Sequence, residues 1–568
     1  MSIRSVFQES FIGHIIHSLS GRRWLKYPEE NADFVLPSKY ALRAKEASST
    51  GASLSSAPRS NLDALRTDTV DSARTRFEDG ELESQGQEVI IVDWYGPDDP
   101  ENPQNWSLGK KCWLTFCIML ITTSVYIGSS IYAPAVPSAM EYFGVAQVPA
   151  LLGISLFVLG YGIGPLFLSP ITEVPKIGRT IPYIIPLALF AILQLPTALV
   201  TNFAGFCVLR FLSGFVSSPP LATGGASLFD IFRPEKFAYP MGLYDISAAA
   251  GPTLGPVVAA YAVYAKNWRW AFWELLWIAG FALLFLSCAL PETSADNILY
   301  RRAIRLRRLT GNPNIKSQSE IDTAHLDFKA EILNAIVRPI TMTFKEPIVL
   351  ATDLYVGYVY ALIYSYFESF PLVYEYGYGW SGANANLPYL AFIAGESFSV
   401  IGYVIWARLY WEPKFAETGG HPKPEASLPM GIPGGFFAPP TLFWFGWTAV
   451  RTHWISPVLA SAVFGLGTSW MFMPFLTYLP LAYPKYAASA LASNDFVRSL
   501  MGAGMPLAAA PLFHNLGIAW GNSLLGFIAI LFVPVPWLLF AYGGKLRNKS
   551  PMALHDSDIE KMRQNSAA

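Results

Sequence analysis

CWLTFCIMLITTSVYIGSSIYAP, residues 112–134, contains no charged side chain over 23 positions. At about 1.5 Å per residue a helix of that length reaches roughly 34 Å, enough to cross the ~30 Å hydrocarbon core of a bilayer. The same pattern recurs downstream at 148–169, 181–200, 205–229, 237–264 and 270–290. A polar stretch of some fifty residues follows. Six more runs then appear at 347–373, 386–407, 433–450, 455–479, 488–512 and 516–541. A soluble chain does not repeat apolar runs of this length. The expected fold is an all-α membrane protein with twelve transmembrane helices in two six-helix bundles. The divisions are 1–109, an N-terminal extension; 110–290, the first bundle; 291–346, a central loop; 347–541, the second bundle; and 542–568, a tail. Pro219, Pro220, Pro252 and Pro256 fall inside runs, where neighbouring helices can satisfy the freed backbone groups.

Composition agrees. Charged residues are 14% of the 568-residue chain, against about 25% in soluble domains, and apolar residues are 52%. The 17 Trp and 28 Tyr suit two interfacial belts. A net charge of −1 gives no global field for nucleic acid. Cys112, Cys117, Cys207 and Cys288 lack metal-ligand or disulfide-framework spacing and read as small buried hydrophobes. No cofactor or metal is expected. The apolar stretch at 11–16 is too short for a cleavable signal and contains His14. An apolar–polar alternation at 3–19 suggests a short amphipathic helix. Segment 48–87, rich in Ser, Thr, Arg, Asp and Glu, cannot bury enough surface to offset its ordering entropy, so the extension is expected to be largely disordered.

Basic residues orient the chain. Lys176, Arg179, Arg233, Lys236, Arg301, Arg302, Arg305, Arg307, Arg308, Arg408, Lys414, Lys485, Lys545 and Arg547 fall on one side; only Lys266, Arg269 and Arg451 fall on the other. The termini and the central loop are expected in the cytoplasm. Two halves joined by a charged linker fit transporters that rock two bundles about a midplane site.

Three motifs carry chemistry. The loop GPLFLSPITEVPKIGR (164–179) sets Glu173 beside Lys176 and Arg179, read either as a charge latch between helix ends or as a solvated turn. VLRFLSG (208–214) puts Arg210 in an apolar run. It must face the bundle interior or an aqueous cavity, or else snorkel to the nearby interface. AGPTLGP (250–256) sets Gly251-Pro252 and Gly255-Pro256 on one helical face, for close approach and a bend.

Together these resemble the major facilitator superfamily. The resemblance implies that Arg210 takes part in proton coupling and that the doubled Gly-Pro pair is the antiporter motif of exporters. VDWYGPDDPENPQNWS (92–107), Leu290-Pro291-Glu292-Thr293, Pro424-Glu425 and AASALASNDFVRS (487–499) are similar to fungal drug:proton antiporters of the twelve-span class, in order along nearly the whole chain from residue 90. The chain departs from the superfamily at Ser169 and Glu173, where Gly and Asp are usual, and at Ser427, close to where the second half usually has an arginine after Pro-Glu.

Carboxylates inside spans are functional-site candidates. Glu396 and then Asp245 are the expected proton-coupling sites. Glu274 and Asp353 read as interfacial, and Glu368 lies in the outer part of its span. Asp495 and Arg498, one helical turn apart, read as a local latch pair near the cytoplasmic start of their span. Tyr364, Phe367 and Trp470 are expected to line an adaptable aromatic cavity. No P-loop, HExxH, CxxC or nucleophile elbow is present, which argues against an ATPase or an enzyme, and no channel filter is visible. The expectation is a proton-coupled efflux transporter for small organic compounds, working by alternating access as a monomer in the plasma membrane. Its partners would be the substrate, protons and the lipid bilayer, with no nucleic acid. A proton-coupled uptake carrier or a transporter-like sensor on the same fold is the alternative.

Overall fold

Inside hydrocarbon a backbone must satisfy its own hydrogen bonds, so the apolar runs become helices. The computed structural model describes residues 3–31, 33–37, 39–40, 83–84, 87–324 and 328–567. Helices named below are α1 (Phe11–Leu19), α2 (Leu108–Ser130), α3 (Leu152–Thr172), α4 (Thr180–Leu199), α5 (Phe203–Val216), α6 (Pro219–Ile231), α7 (Ala238–Ala265), α8 (Trp270–Ala289) and α9 (Ala295–Thr310). The second part of the chain adds α10 (Phe328–Lys345), α11 (Pro347–Phe370), α12 (Tyr389–Trp406), α13 (Ala438–Thr448), α14 (Ile455–Ala482), α15 (Ala487–Phe532), α16 (Pro534–Arg547) and α17 (Asp556–Ala567).

Among the described residues ten helical stretches are long and apolar enough to cross a membrane. Two of the twelve expected runs do not stand apart. Run 433–450 divides into a short helix at Gly431–Gly435 and α13, too broken to count as one long helix. Run 516–541 is joined to 488–512 in a single 64-residue stretch, Pro484–Arg547. The chain turns within that stretch at Gly517, whose φ of 71° and ψ of 168° suit glycine far better than any other residue. Between α5 and α6 the helix breaks before Pro219 and Pro220, which have no N–H to donate.

In the first half α2 packs on α7 and α3 on α5; in the second, α11 packs on α15 and α12 on α14. The halves meet along two seams, α7 against α12 and α3 against α15. One end of the bundle carries the central loop and both chain ends, and is called the loop end below.

The N-terminal extension is more ordered than expected. Most of segment 48–87 lies outside the described residues, apart from a two-residue antiparallel pairing at 83–84 and 87–88. The remaining described parts build a cap on the loop end of the first half. β1 (Ile90–Val92) pairs in parallel with β2 (Ile315–Ser317), so that Ile90 opposes Ile315. Tyr40, Ile90, Val92, Ala303, Leu306 and Ile315 form a small core of their own. Above it Arg302 meets Asp99 at 2.6 Å and Glu101 at 3.0 Å, while Arg305 meets Glu29 at 2.8 Å and Glu101 at 2.9 Å. Burial raises the Glu29 carboxyl, but the Arg305 guanidinium together with hydrogen bonds from Tyr95 and the backbone holds it below the usual carboxylate range. The tail is tied down as well. Arg547 bonds Glu425 at 3.0 Å, Asp556 at 2.6 Å and the Leu554 carbonyl, and the Leu554 N–H donates to Ala482 at 2.8 Å. The second half therefore has its own charged clasp. Its arginine comes from the end of α16, not from the neighbourhood of Ser427.

Candidate functional site

The α7–α12 seam is closed along its length. At the loop end the Tyr239 hydroxyl donates to Glu412 at 2.8 Å. One turn further in, a Cβ on Gly242 would sit 3.1 Å from Val400 and 3.3 Å from Tyr403, so the helices touch there. The next turn brings Asp245 of α7 to face Glu396 of α12, so that the two carboxyl groups act on each other. Both are buried, Glu396 completely, and Ser469 of α14 donates to Glu396 Oε1 at 2.8 Å. Glu396 Oε2 and Asp245 Oδ2 have no hydrogen-bond donor among the described residues. Two facing carboxylates repel, and a single proton shared between them would relieve that repulsion. At the far end Tyr261 bonds Asn384 at 3.0 Å and Tyr264 bonds Glu375 at 3.0 Å. The two expected coupling carboxylates thus come together, one from each half.

The α3–α15 seam meets α11 at a phenol cluster. Tyr161 of α3 contacts the Tyr360 hydroxyl and lies 3.1 Å from that of Tyr364, with Tyr126 of α2 edge-on at 5.8 Å. Gly162 lets Ser499 approach: a Cβ there would lie 2.3 Å from the serine Cβ. Arg498 stands over Tyr360 at 5.1 Å and pairs with Asp495. The local pairing agrees with the i,i+3 spacing, but the location differs. Arg498 lies eleven residues into α15, roughly 17 Å from its start, between the halves and not at a cytoplasmic end. The expected latch pair is a central ion pair instead. Arg498 Nε and Asp495 Oδ2 lack partners. Tyr364 is buried here, and Phe367 packs edge-on against it at 5.1 Å.

Trp470 does not line this centre. Its Nε1 donates to the Ser399 carbonyl at 2.9 Å, and it fills space opened by Gly402 and Gly434 inside the second half. Consecutive aromatics on one helix face different neighbours, and the sequence carries no signal for which one turns inward.

Arg210 is fully buried, which excludes the snorkelling reading. Its Nε donates to the Gly153 carbonyl at 2.6 Å and its Nη2 to the Gly128 carbonyl at 2.7 Å. The guanidinium stacks 4.5 Å from the Phe157 ring centre and 5.5 Å from that of Phe272. Among the described residues it has no carboxylate partner. It binds α2, α3 and α5 together inside the first half and does not touch the Asp245–Glu396 pair. The Gly-Pro pairs serve the same half. A Cβ on Gly251 would fall 2.2 Å from Tyr126 Cβ, and one on Gly255 2.2 Å from Ser130 Oγ, so this face of α7 seats α2 and does not meet the other half.

In the 164–179 loop the structure pairs Arg179 with a residue outside the loop. Arg179 forms a bidentate pair with Asp230 at 2.5 and 3.2 Å, and the N–H groups of Arg179 and Thr180 donate to Glu292. Lys176 and Glu173 are exposed. Asp230 escaped the sequence reading because it lies some fifty residues beyond the loop. Asp353, expected at an interface, is fully buried and accepts from Ser493 at 2.6 Å and Asn494 at 3.1 Å. Glu368 accepts from Gln147 of the first half at 3.1 Å. Glu274 is half-buried at the far end of α8. Among the described residues no three His, Cys, Asp or Glu side chains converge as a metal site would require.

Comparison with known proteins gives consistent results. Residues 118–506 match the profile of the Major Facilitator Superfamily. The chain is 41% identical to Transporter mfs1 of Schizosaccharomyces pombe, over 88% of this chain and 93% of that one. It is 40% identical to Fluconazole resistance protein 1 of Saccharomyces cerevisiae over 81% and 84%, and 36% identical to the Cycloheximide resistance protein of Candida maltosa over 96% and 99%. The solved human organic anion transporter MFSD10 (TETRAN) shares the fold with a TM-score of 0.53 at 17% identity, over 75% of this chain and 99% of that one.

Proposed function

We propose, from the premise that this chain belongs to the Major Facilitator Superfamily, that it exports small, mostly apolar organic compounds such as drugs, fungicides, toxins or secondary metabolites in exchange for protons. Family membership makes it a multi-pass membrane transporter, not an enzyme. Export as the direction draws on relatives whose names record resistance to fluconazole and cycloheximide. In this reading the protein is a monomer in the plasma membrane that crosses it twelve times, with both chain ends in the cytoplasm.

The observation that carries proton coupling is the Asp245–Glu396 contact between the halves. With a proton shared between the oxygens the α7–α12 seam closes; without it two buried carboxylates face each other and the seam is driven apart. One protonation event therefore biases a two-state rocking motion, as alternating access requires. The aromatic centre formed by Tyr126, Tyr161, Tyr360 and Tyr364 with Arg498 supplies the substrate contacts. Arg210, Gly251, Pro252, Gly255 and Pro256 keep the first bundle rigid while it moves, and the Arg179–Asp230 clasp holds its loop end.

Inside-out vesicles loaded by a pH gradient test the reading, with cycloheximide and fluconazole as probes. Accumulation should collapse when the gradient is dissipated. Glu396→Gln, which keeps a hydrogen-bonding amide but cannot titrate, should remove the gradient dependence while leaving the protein inserted. Accumulation by the unaltered protein that ignores the gradient would overturn antiport.

A further inference from the structure

We infer that α1 and the turn after it form a site for anionic lipid headgroups, holding the cap against the loop-end leaflet of the bilayer. This inference does not rest on the transport reading; it needs only that the chain crosses a membrane.

The helix begins at a fixed point. The Ser10 hydroxyl caps it by accepting from the Gly13 N–H at 3.1 Å, and Ser10 pairs with Pro291 just beyond the end of α8. Glu9 bonds Lys110, in the first turn of α2, at 2.7 Å. α1 therefore starts where α2 enters and α8 leaves the hydrophobic slab, and it touches both α8 and α4. Those two helices present Leu189, Ile192, Phe281 and Leu284 outward, the surface that lipid must cover. α1 continues that surface. Ile15 and Leu19, one turn apart, are 42% and 82% exposed, and Trp24 in the following turn is 69% exposed. These three side chains extend the outward apolar surface of α4 and α8 past the end of α1.

The charges are arranged to match. Arg22, Arg23 and Lys26 are exposed around Trp24, and none of them is in an ion pair among the described residues. Arg308 of α9 is exposed and close enough to Arg22 for mutual repulsion, so the patch draws cations from two elements. Glu30 answers part of the Arg308 charge, but it is already paired with His17 at 2.8 Å, so the three cations of the turn stay open to an anion supplied from outside. The backbone is bent to hold this arrangement. Gly21, Arg22 and Leu25 have φ of 60°, 65° and 54°, and two of these are not glycine. Side chains rarely adopt this region, and strain of this kind collects at sites where a ligand repays it. Arg23, Trp24 and Lys26 also line a cleft with Phe7 and Ile16. An amphipathic helix with a tryptophan and flanking cations lies in the interfacial plane of a bilayer, and each cation near an anionic leaflet contributes about a fivefold gain in affinity.

Hydrogen exchange on the full-length chain in lipid nanodiscs tests this. In phosphatidylcholine discs containing phosphatidylserine, the amides from Ile15 to Lys26 should exchange about tenfold more slowly than in phosphatidylcholine alone. Raising the salt should erase the difference, because screening shortens the reach of the leaflet charge. The variant R22E/R23E/K26E should lose the lipid difference while the β1–β2 amides stay protected, which shows that the cap is still docked. If that variant undocks the cap, the salt titration of the unaltered chain decides the matter by itself. Equal exchange in both lipids, a difference that salt leaves intact, or the same slowing produced in neutral discs by soluble inositol hexakisphosphate would each overturn the assignment.

Discussion

Arg210 spends its charge on two backbone carbonyls and two aromatic faces, a use that makes it a fastener. Removing it leaves the Gly128 and Gly153 carbonyls unpaired in a dry interior. Arg210→Ala should lower stability by about 3 kcal/mol, visible as a fall in the unfolding temperature of the detergent-solubilised protein, and should abolish transport. Arg210→Lys, one donor group in place of a planar fork, should recover part of the stability. That Arg210 faces inward was one of two readings open from the sequence, since an arginine in an apolar run has few places to go. Its partners were not legible, because glycine carbonyls 57 and 82 residues away leave no side-chain signature. Asp495 and Arg498 show the converse: their pairing was readable from spacing, while their depth depended on where α15 begins. His14 gives a pH prediction. Burial and then the facing Arg301, with His17 and Arg305 nearby, push its imidazole from 6.5 down to about 3, and the Tyr27 hydroxyl is its neutral neighbour. The docked segment therefore refuses a proton that the released segment accepts. Docking is at full strength above pH ~6.5 and weakens as pH falls from there toward 3. Exchange of the α1 amides, corrected for the intrinsic rate, should quicken between neutral pH and about 5, and His14→Gln should flatten the trend.

At the level of the element, glycine faces determine which helices touch. Gly251 and Gly255 bring α7 onto α2, whereas Gly280 on α8 has nothing within 4 Å of its would-be Cβ. Gly251→Ala should cost about 1–3 kcal/mol through overpacking against Tyr126, while Gly280→Ala should be neutral or slightly stabilising. Thermal unfolding of the two variants side by side checks this. Helix positions were largely legible because hydrophobic length is a strong signal. Breaks such as Ser217–Ser218 and the division of run 433–450 were not, since prolines within apolar runs mark tolerated kinks as often as true interruptions. The cap was the element least visible beforehand. Its core draws six residues from three distant segments, so no local stretch looks apolar enough to fold.

Across the whole molecule, the α7–α12 seam is bonded at both ends. Tyr239 meets Glu412 at the loop end, and Tyr261 meets Asn384 at the far end. A transporter that alternates must release one of these at a time. Paired cysteines at 261 and 384, or at 239 and 412, should each stop turnover once cross-linked and recover it on reduction; turnover that survives either cross-link would mean that this seam does not part. The parallel pairing of β1 with β2 carries a different consequence, one of timing. Ile90 leaves the ribosome more than two hundred residues before Ile315. At roughly 5–20 residues per second, β1 waits on the order of ten seconds or more without its neighbour, while the whole first bundle is threaded into the membrane. The cap can close only after that insertion has delivered residue 315 back to the side of residue 90, so a closed cap is a built-in record that the first half crossed an even number of times.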